Sequence, residues 1–381
     1  MKFDIDYIAP IDGHNIEELV KAFKADKKIE GTCVIHVITK KGKGYKYSEE
    51  DTLGLWHSVS PFDIETGKQK SLKEGYTSYI GCVTSYMKEF YKENPNTKVV
   101  MPAMTSPSGM NSLKEVMKDD FIDTGITEEF SMSFAASLAH SNNYCLLPIY
   151  SSFLMRAYDQ LHQDVSMQKE HVVIAVDKAG LVPGNGKTHQ GIYDISYLKT
   201  IPGLKIVAPK DYTETYKLLD YAFKVSKSPL AIHLPVTPIK IEDININSEP
   251  ISETWEYINN IDNPKAYMIT YSNLVDYVKD EMKELGVEVI NARFISPMDL
   301  NMLDEISKTN KPIIVYEEAI KSDALGSMII NYYNSLNINK HIYSYGLPLD
   351  FIDIGTIEEL RCDYKIDKDS IVKEVKKIIC D

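Results

Sequence analysis

The run Gly125-Ile126-Thr127-Glu128-Glu129-Phe130 sets two carboxylates between a short strand pattern, Phe121-Ile122-Asp123, and a small apolar helical run from Ser131 to Ala139. A carboxyl at the mouth of such a helix faces a crevice of low dielectric. Burial disfavours its charged form, which suits a group that trades a proton with a ligand nitrogen. Acidic residues in a first turn also suit the helix dipole, and on these residues alone that reading stays open. Tyr150-Ser151-Ser152-Phe153 follows a second strand pattern and opens a helix. Tyr150 and Phe153 can form a shelf for a flat heterocycle, and Arg156, one turn on, can reach an anion. The same residues also suit an aromatic core face with a solvated arginine. A third segment, Asp177 to Gly191, holds four glycines, a proline, two lysines and His189. Glycine lets backbone amides approach an anion, and a histidine transfers protons near neutral pH. Its place at a strand end favours a functional loop.

The elements that must position these groups alternate. Strands are expected at 98–101, 146–149, 172–176, 205–208 and 230–233, and helices at 76–92, 131–141, 153–167 and 213–225. That alternation implies a doubly wound parallel α/β sheet, in which ligands bind at the carboxyl ends of the strands. A second α/β pattern follows, with strands at 266–271, 287–291, 313–317 and 342–346 and helices at 274–285, 299–309 and 323–336. Ahead of both, residues 1–45 read as strand, helix, strand. Asn15 caps the helix with Glu18 at the capping-box position, and Cys33 to Ile38 is a continuous apolar run suited to a parallel sheet buried on both faces. One such unit is too small to bury a core alone. The expected division is 1–45, a linker at 46–75, a domain at 76–235, a linker at 236–254 and a smaller α/β domain at 255–381.

Composition excludes several functions. The chain has 381 residues, with 44% hydrophobic and 25% charged, as in ordinary globular proteins. A net charge of −13 argues against nucleic-acid binding, which needs a basic surface. Cys33, Cys82, Cys145, Cys362 and Cys380 are scattered without metal or disulfide spacing, so no metal site is expected from them. Acids interrupt the first residues where a signal peptide needs an apolar core, and no apolar run reaches a membrane span. A cytoplasmic, reduced location is expected.

The motifs then form an ordered set: Tyr7-Ile8-x-Pro10-Ile11-Asp12-Gly13-His14-Asn15, Thr39 to Tyr45, Gly125-Ile126-x-Glu128, Tyr150 to Gln160, Asp177-x-Ala179-Gly180-Leu181-Val182, Thr188-His189-Gln190-Gly191, Ile201-Pro202-Gly203, Ala292 to Asp299 and Gly346-Leu347-Pro348. Across nearly the whole chain this resembles the 1-deoxy-D-xylulose-5-phosphate synthase family, thiamine-diphosphate-dependent transferases related to transketolase. The resemblance implies that residues 1–45 are the remnant of a diphosphate-binding domain. A pyrimidine-binding domain and a C-terminal transketolase-like domain would follow. Glu128 would hold the cofactor's pyrimidine N1′, favouring the imino tautomer that removes the thiazolium C2 proton. Phe153 would stack on the pyrimidine and Tyr150 would line the site. Arg156, Lys178, Asn185, His189 and His233 would lie toward substrate, with His14 and His189 as further catalytic residues. The implied reaction condenses pyruvate with D-glyceraldehyde 3-phosphate with loss of CO2, in isoprenoid and thiamine precursor synthesis. A homodimer is implied.

Departures from the family pattern shape these expectations. The Gly-Asp-Gly…Asn motif that holds magnesium and the diphosphate does not occur, so Mg2+ is implied by family only and a partner chain is expected to supply that site. The family's Glu-Gln-His becomes Glu128-Glu129-Phe130, and its His-Asp-Val becomes Gln163-Asp164-Val165. An arginine becomes Lys178, an aspartate becomes Asn185, and two arginines become His233 and Val236. Lysine and histidine lack the planar fork with which arginine grips phosphate. Unaided activity is therefore not expected. The alternatives are a non-catalytic paralogue acting as an interaction or regulatory subunit, and the pyrimidine-binding subunit of a split transketolase.

Overall fold

The computed structural model describes residues 5–52, 54–57, 59, 61–69, 71–244 and 251–380. The first residues of the N-terminal run and 245–250 of the second expected linker lie outside them. The chain divides into two compact units, Met1–Ser71 and Leu72–Asp381.

In the first unit, strands Ile5–Asp12 and Thr32–Ile38 pair in parallel around helix Ile16–Asp26. Asn15 starts the helix, its side chain accepting from the Glu17 and Glu18 amides at 3.1 and 3.2 Å. Glu18 reaches back to the Asp12 amide rather than to that of Asn15, so the expected box is shifted. Ala22 is the only buried residue among those described in this unit. Tyr45, Tyr47, Trp56 and Phe62 cluster in tilted and edge-to-face pairs at the start of and within the segment expected as a linker, with ring centroids 4.7–5.6 Å apart.

The second unit is built on two sheets. The larger has seven strands in the spatial order Phe294–Ser296, Lys205–Val207, Leu230–Pro235, Val172–Ala179, Tyr144–Tyr150, Thr97–Met101 and Phe121–Asp123. Six are parallel, and Phe294–Ser296 runs antiparallel at the edge. Strands 144–150 and 172–179 are buried almost throughout, as their unbroken apolar runs require under helices on both faces. The smaller sheet has the order Glu256–Tyr257, Val287–Asn291, Ala266–Thr270, Ile313–Ile320 and Ile342–Leu347, parallel except for the first.

Local signals start several of the helices. Ser78, Asp211 and Asp299 each accept the amide three residues on, and Thr356 with Glu359 forms a full capping box. The expected helix over 153–167 is broken. Short α, 3-10 and π turns succeed one another between Ser151 and Ser166. Such irregular turns re-aim side chains and are common beside functional sites. Helices Ile357–Asp363 and Lys368–Cys380 escaped the periodicity reading, as did the edge strand Phe294–Ser296. That strand pairs with Lys205–Val207, a segment nearly ninety residues earlier, so no local pattern announces it. Among the described residues, no helix is long and apolar enough to cross a membrane.

Candidate active site

Three carboxyl ends of the seven-stranded sheet feed one side-chain cluster. After Asp123, Gly125 takes a left-handed conformation (φ 72°), and its amide donates to Asp123 Oδ1 at 3.1 Å. This turn delivers Glu128 as the first residue of helix Glu128–His140. Glu128 is only 5% exposed. Its Oε1 accepts from Arg156 Nη1 at 2.9 Å, and its Oε2 has no hydrogen-bond partner among the described residues.

After strand 144–150, Tyr150 and Phe153 stack with centroids 5.3 Å apart. The Arg156 guanidinium lies 5.4 Å from the Phe153 centroid, so one arginine touches both carboxylate and ring. After strand 172–179, Lys178 Nζ sits 4.3 Å from the Tyr150 centroid, and His189 meets Phe153 edge-on at 5.4 Å. Glu128, Tyr150, Phe153, Arg156, Lys178 and His189 thus form one continuous cluster.

The electrostatics follow from burial. Asp177, wholly enclosed, is pushed up to about 6 by desolvation, against its own contact with the Lys178 amide. Desolvation also lowers Lys178, with Asp177 opposing. His189 is lowered by desolvation and then by the Lys178 charge, which keeps its imidazole neutral at pH 7. The Tyr150 hydroxyl is raised by burial and by Asp177, and so remains a donor.

The glycine-rich loop is pinned rather than loose. Gly180 and Gly191 exchange two backbone hydrogen bonds of 2.9 Å across its neck. A Cβ on Gly191 would lie 2.0 Å from the Lys178 carbonyl oxygen, so only glycine fits there. Gln190, 2% exposed, accepts from the Val182 amide at 2.9 Å and donates back to the Val182 carbonyl at 3.1 Å. The loop also leans on residues 350–355 of the smaller sheet's half, through Gly184 N to Gly355 O at 3.1 Å and Lys187 Nζ to Asp353 at 2.9 Å. Asn185 stands on this loop between Gly184 and Gly186, and its side chain has no hydrogen-bond partner among the described residues.

Two of the expected residues make other contacts. His233 is buried, with Nδ1 2.8 Å from Asp194 Oδ2 and its ring edge-on to Tyr271 at 5.7 Å. His14 belongs to the first unit, where its Nε2 accepts from the Lys40 amide at 2.7 Å. Sequence reasoning gave no role to Asp177, Gln190 or Asp194. A carboxylate ending a fully apolar strand was the available signal for Asp177. Among the described residues, no group of three or more His, Cys, Asp or Glu is placed to hold a metal ion.

Comparison with known proteins places this geometry. Residues 77–239 match the transketolase pyrimidine-binding domain, 259–371 the transketolase C-terminal domain, and 1–39 the 1-deoxy-D-xylulose-5-phosphate synthase family. Curated relatives named 1-deoxy-D-xylulose-5-phosphate synthase include those of Macrococcus caseolyticus, 34% identical over 382 residues, and Listeria innocua, 35% identical over 381. Each alignment covers 98% of this chain. The chain carries the pyrimidine-binding and C-terminal domains of the transketolase family, and along its length it is similar to 1-deoxy-D-xylulose-5-phosphate synthases. It spans about 60% of the length of these relatives. Among solved structures, a chain titled split gene transketolase, inactive beta4 tetramer, matches with TM-score 0.66 at 19% identity, over 80% of this chain and 98% of that one. Transketolase from Leishmania mexicana matches with TM-score 0.66 at 13% identity, over 81% and 46%. At those identities the likeness is one of fold. The family implies dependence on thiamine diphosphate.

Proposed function

We propose that this chain carries the pyrimidine half of a thiamine-diphosphate site and takes part in the condensation of pyruvate with an aldehyde, D-glyceraldehyde 3-phosphate in the relatives' reaction, with loss of CO2. The observation that carries this is Glu128, buried at a helix start with one oxygen unpartnered beside the Tyr150–Phe153 stack. That arrangement fits a flat aminopyrimidine, with a ring face on Phe153 and a ring nitrogen on Glu128. When bound, the cofactor supplies the electron sink for decarboxylation. The chain's own groups then have separable tasks. Glu128 offers Oε2 to the ring nitrogen, Arg156 fixes the carboxylate's orientation, and neutral His189 accepts or returns a proton over Phe153. Lys178 offers a positive charge to an anionic substrate group, pyruvate's carboxylate being the smallest.

Magnesium and the diphosphate are held, in this reading, by residues outside these 381. The first unit supports that. Among the described residues no strand pairs with the outer edges of its two parallel strands, and Ile5, Tyr7, Ile16, Phe23, Val34 and Ile38 all stand exposed. Parallel sheets are normally covered on both faces. A partner segment that continues this sheet would cover those residues and bring the missing oxygen ligands. Self-association into a homodimer, and a location in the cytoplasm, accompany the proposal on family grounds.

A second reading, a non-catalytic interaction subunit, is favoured by Phe130. It stands 57% exposed beside Glu128 and stacks on Phe134 where the family pattern has a histidine. One experiment separates the two. The chain is mixed with the part of the Macrococcus caseolyticus enzyme that precedes the matched region, and CO2 release from pyruvate is followed. Release that depends on both components and is abolished by Glu128→Ala supports catalysis. Absence of release supports the subunit reading, and tight thiamine-diphosphate binding by the chain alone overturns the need for an outside diphosphate site.

A further inference from the structure

A cleft of about 500 Å3 opens in the half of the second unit built on the smaller sheet. It lies along the carboxyl-terminal half of the edge strand Ile342–Leu347 and beside Lys321, just past the end of its parallel neighbour Ile313–Ile320, against helix Lys368–Cys380. Crevices at strand carboxyl ends are where open α/β sheets take ligands. None of the six clustered residues around Glu128 lines it.

Its charge runs against that of the molecule. Lys321, Lys365 and Lys373 line it, and none has an ion-pair partner among the described residues. The carboxylate on the wall, Glu374, is engaged by Lys377 at 2.6 Å. Three lysines without ion-pair partners among the described residues therefore share one cleft on a chain of net charge −13. Tyr345 and Tyr364 line it too, their hydroxyls without hydrogen-bond partners among the described residues. Burial raises both hydroxyls above the ordinary tyrosine value, helped by Glu374 at Tyr345 and by Asp353, Asp350 and Asp363 at Tyr364, so they stay protonated and able to donate. Like charges held together repel, and a multivalent anion relieves that repulsion while giving the donors acceptors. The volume falls within the range of small-molecule sites.

We propose that this cleft binds a small molecule bearing a diphosphate, gripped by Lys321, Lys365 and Lys373. Lysine serves phosphate as a point charge, which suits a cleft without a planar arginine fork.

The test is calorimetric titration of the full chain with inorganic diphosphate, and separately with ADP, at low and high ionic strength. One-to-one binding that weakens with salt is expected. Lys321→Ala and Lys373→Ala should each weaken it by about tenfold or more, the loss expected from one charge-assisted hydrogen bond. Lys376→Ala, on the same helix but outside the cleft, should not. These lysines are exposed, so the variants should fold, and circular dichroism checks that. Tighter ADP than diphosphate binding would mark a nucleotide, and equal affinities would mark the diphosphate alone; either sustains the proposal. No binding to the unaltered chain overturns it. So does binding that survives both cleft variants but is lost in Lys178→Ala, which would put the anion in the crevice beside Tyr150.

Discussion

Arg156 Nη1 stands 2.9 Å from Glu128 Oε1, joining residues 28 positions apart on two different strand-to-helix turns. The carboxylate is nearly enclosed while the guanidinium is about half exposed. The pair therefore orients Glu128 more than it holds the fold together. Glu128→Gln should leave the melting temperature almost unchanged. It should reduce pyruvate decarboxylation in the completed enzyme by about 10²- to 10⁴-fold, the usual contribution of a positioned proton-transfer group. Arg156→Ala should reduce it less and raise KM more. Equal losses in the two variants would contradict this division of roles.

Asp177 gives a pH dependence of defined sign. Its folded value is raised to about 6 from an ordinary 3.8, so the folded state holds the proton more tightly than the unfolded state. Its contribution to stability is fully present below about pH 3.8 and is lost as pH rises through about 6. Asp177→Asn removes that titration while keeping an acceptor for the Lys178 amide. Relative to the unaltered chain, the variant should gain stability between pH 4 and pH 7.5, by on the order of 3 kcal/mol, since each tenfold change in proton affinity is worth about 1.4 kcal/mol. Thermal melts at the two pH values measure the difference.

Arg361 Nε and Glu318 Oε1 are 2.6 Å apart and both almost fully buried. Removing one partner strands the other charge. Arg361→Met should cost about 3–5 kcal/mol in denaturant unfolding. The double variant with Glu318→Gln should recover much of that loss.

Gly191 carries the neck of the glycine-rich loop. Gly191→Ala puts a methyl against the Lys178 carbonyl and the Ala179 Cα. Overpacking of this kind costs about 1–3 kcal/mol. Hydrogen exchange should quicken first at Gly180 and Val182, whose amides are bonded within the loop.

The first unit has one buried residue among those described, so it should open before the second. Limited trypsin digestion should cut within residues 5–69 and leave a resistant fragment close to 72–381, identified by mass spectrometry. Early cleavage inside strands 144–150 or 172–179 would contradict the burial of the seven-stranded sheet.

The sequence by itself determined the pieces that local rules govern. Continuous apolar runs marked strands 144–150 and 172–179, the Asn15 cap marked its helix, and Glu128, Phe153 and His189 were legible because each directly follows a strand pattern. Tertiary structure alone decided which of them meet. Arg156, set toward substrate by the resemblance, also joins Glu128, while His233 is enclosed with Asp194, 39 positions away. The strand 294–296 crosses to the other sheet, and the helix expected over 153–167 breaks into mixed turns. Periodicity and capping act within a turn or two of chain. Ion pairs and edge strands depend on which surfaces packing brings within a few ångströms, and no local pattern encodes that distance.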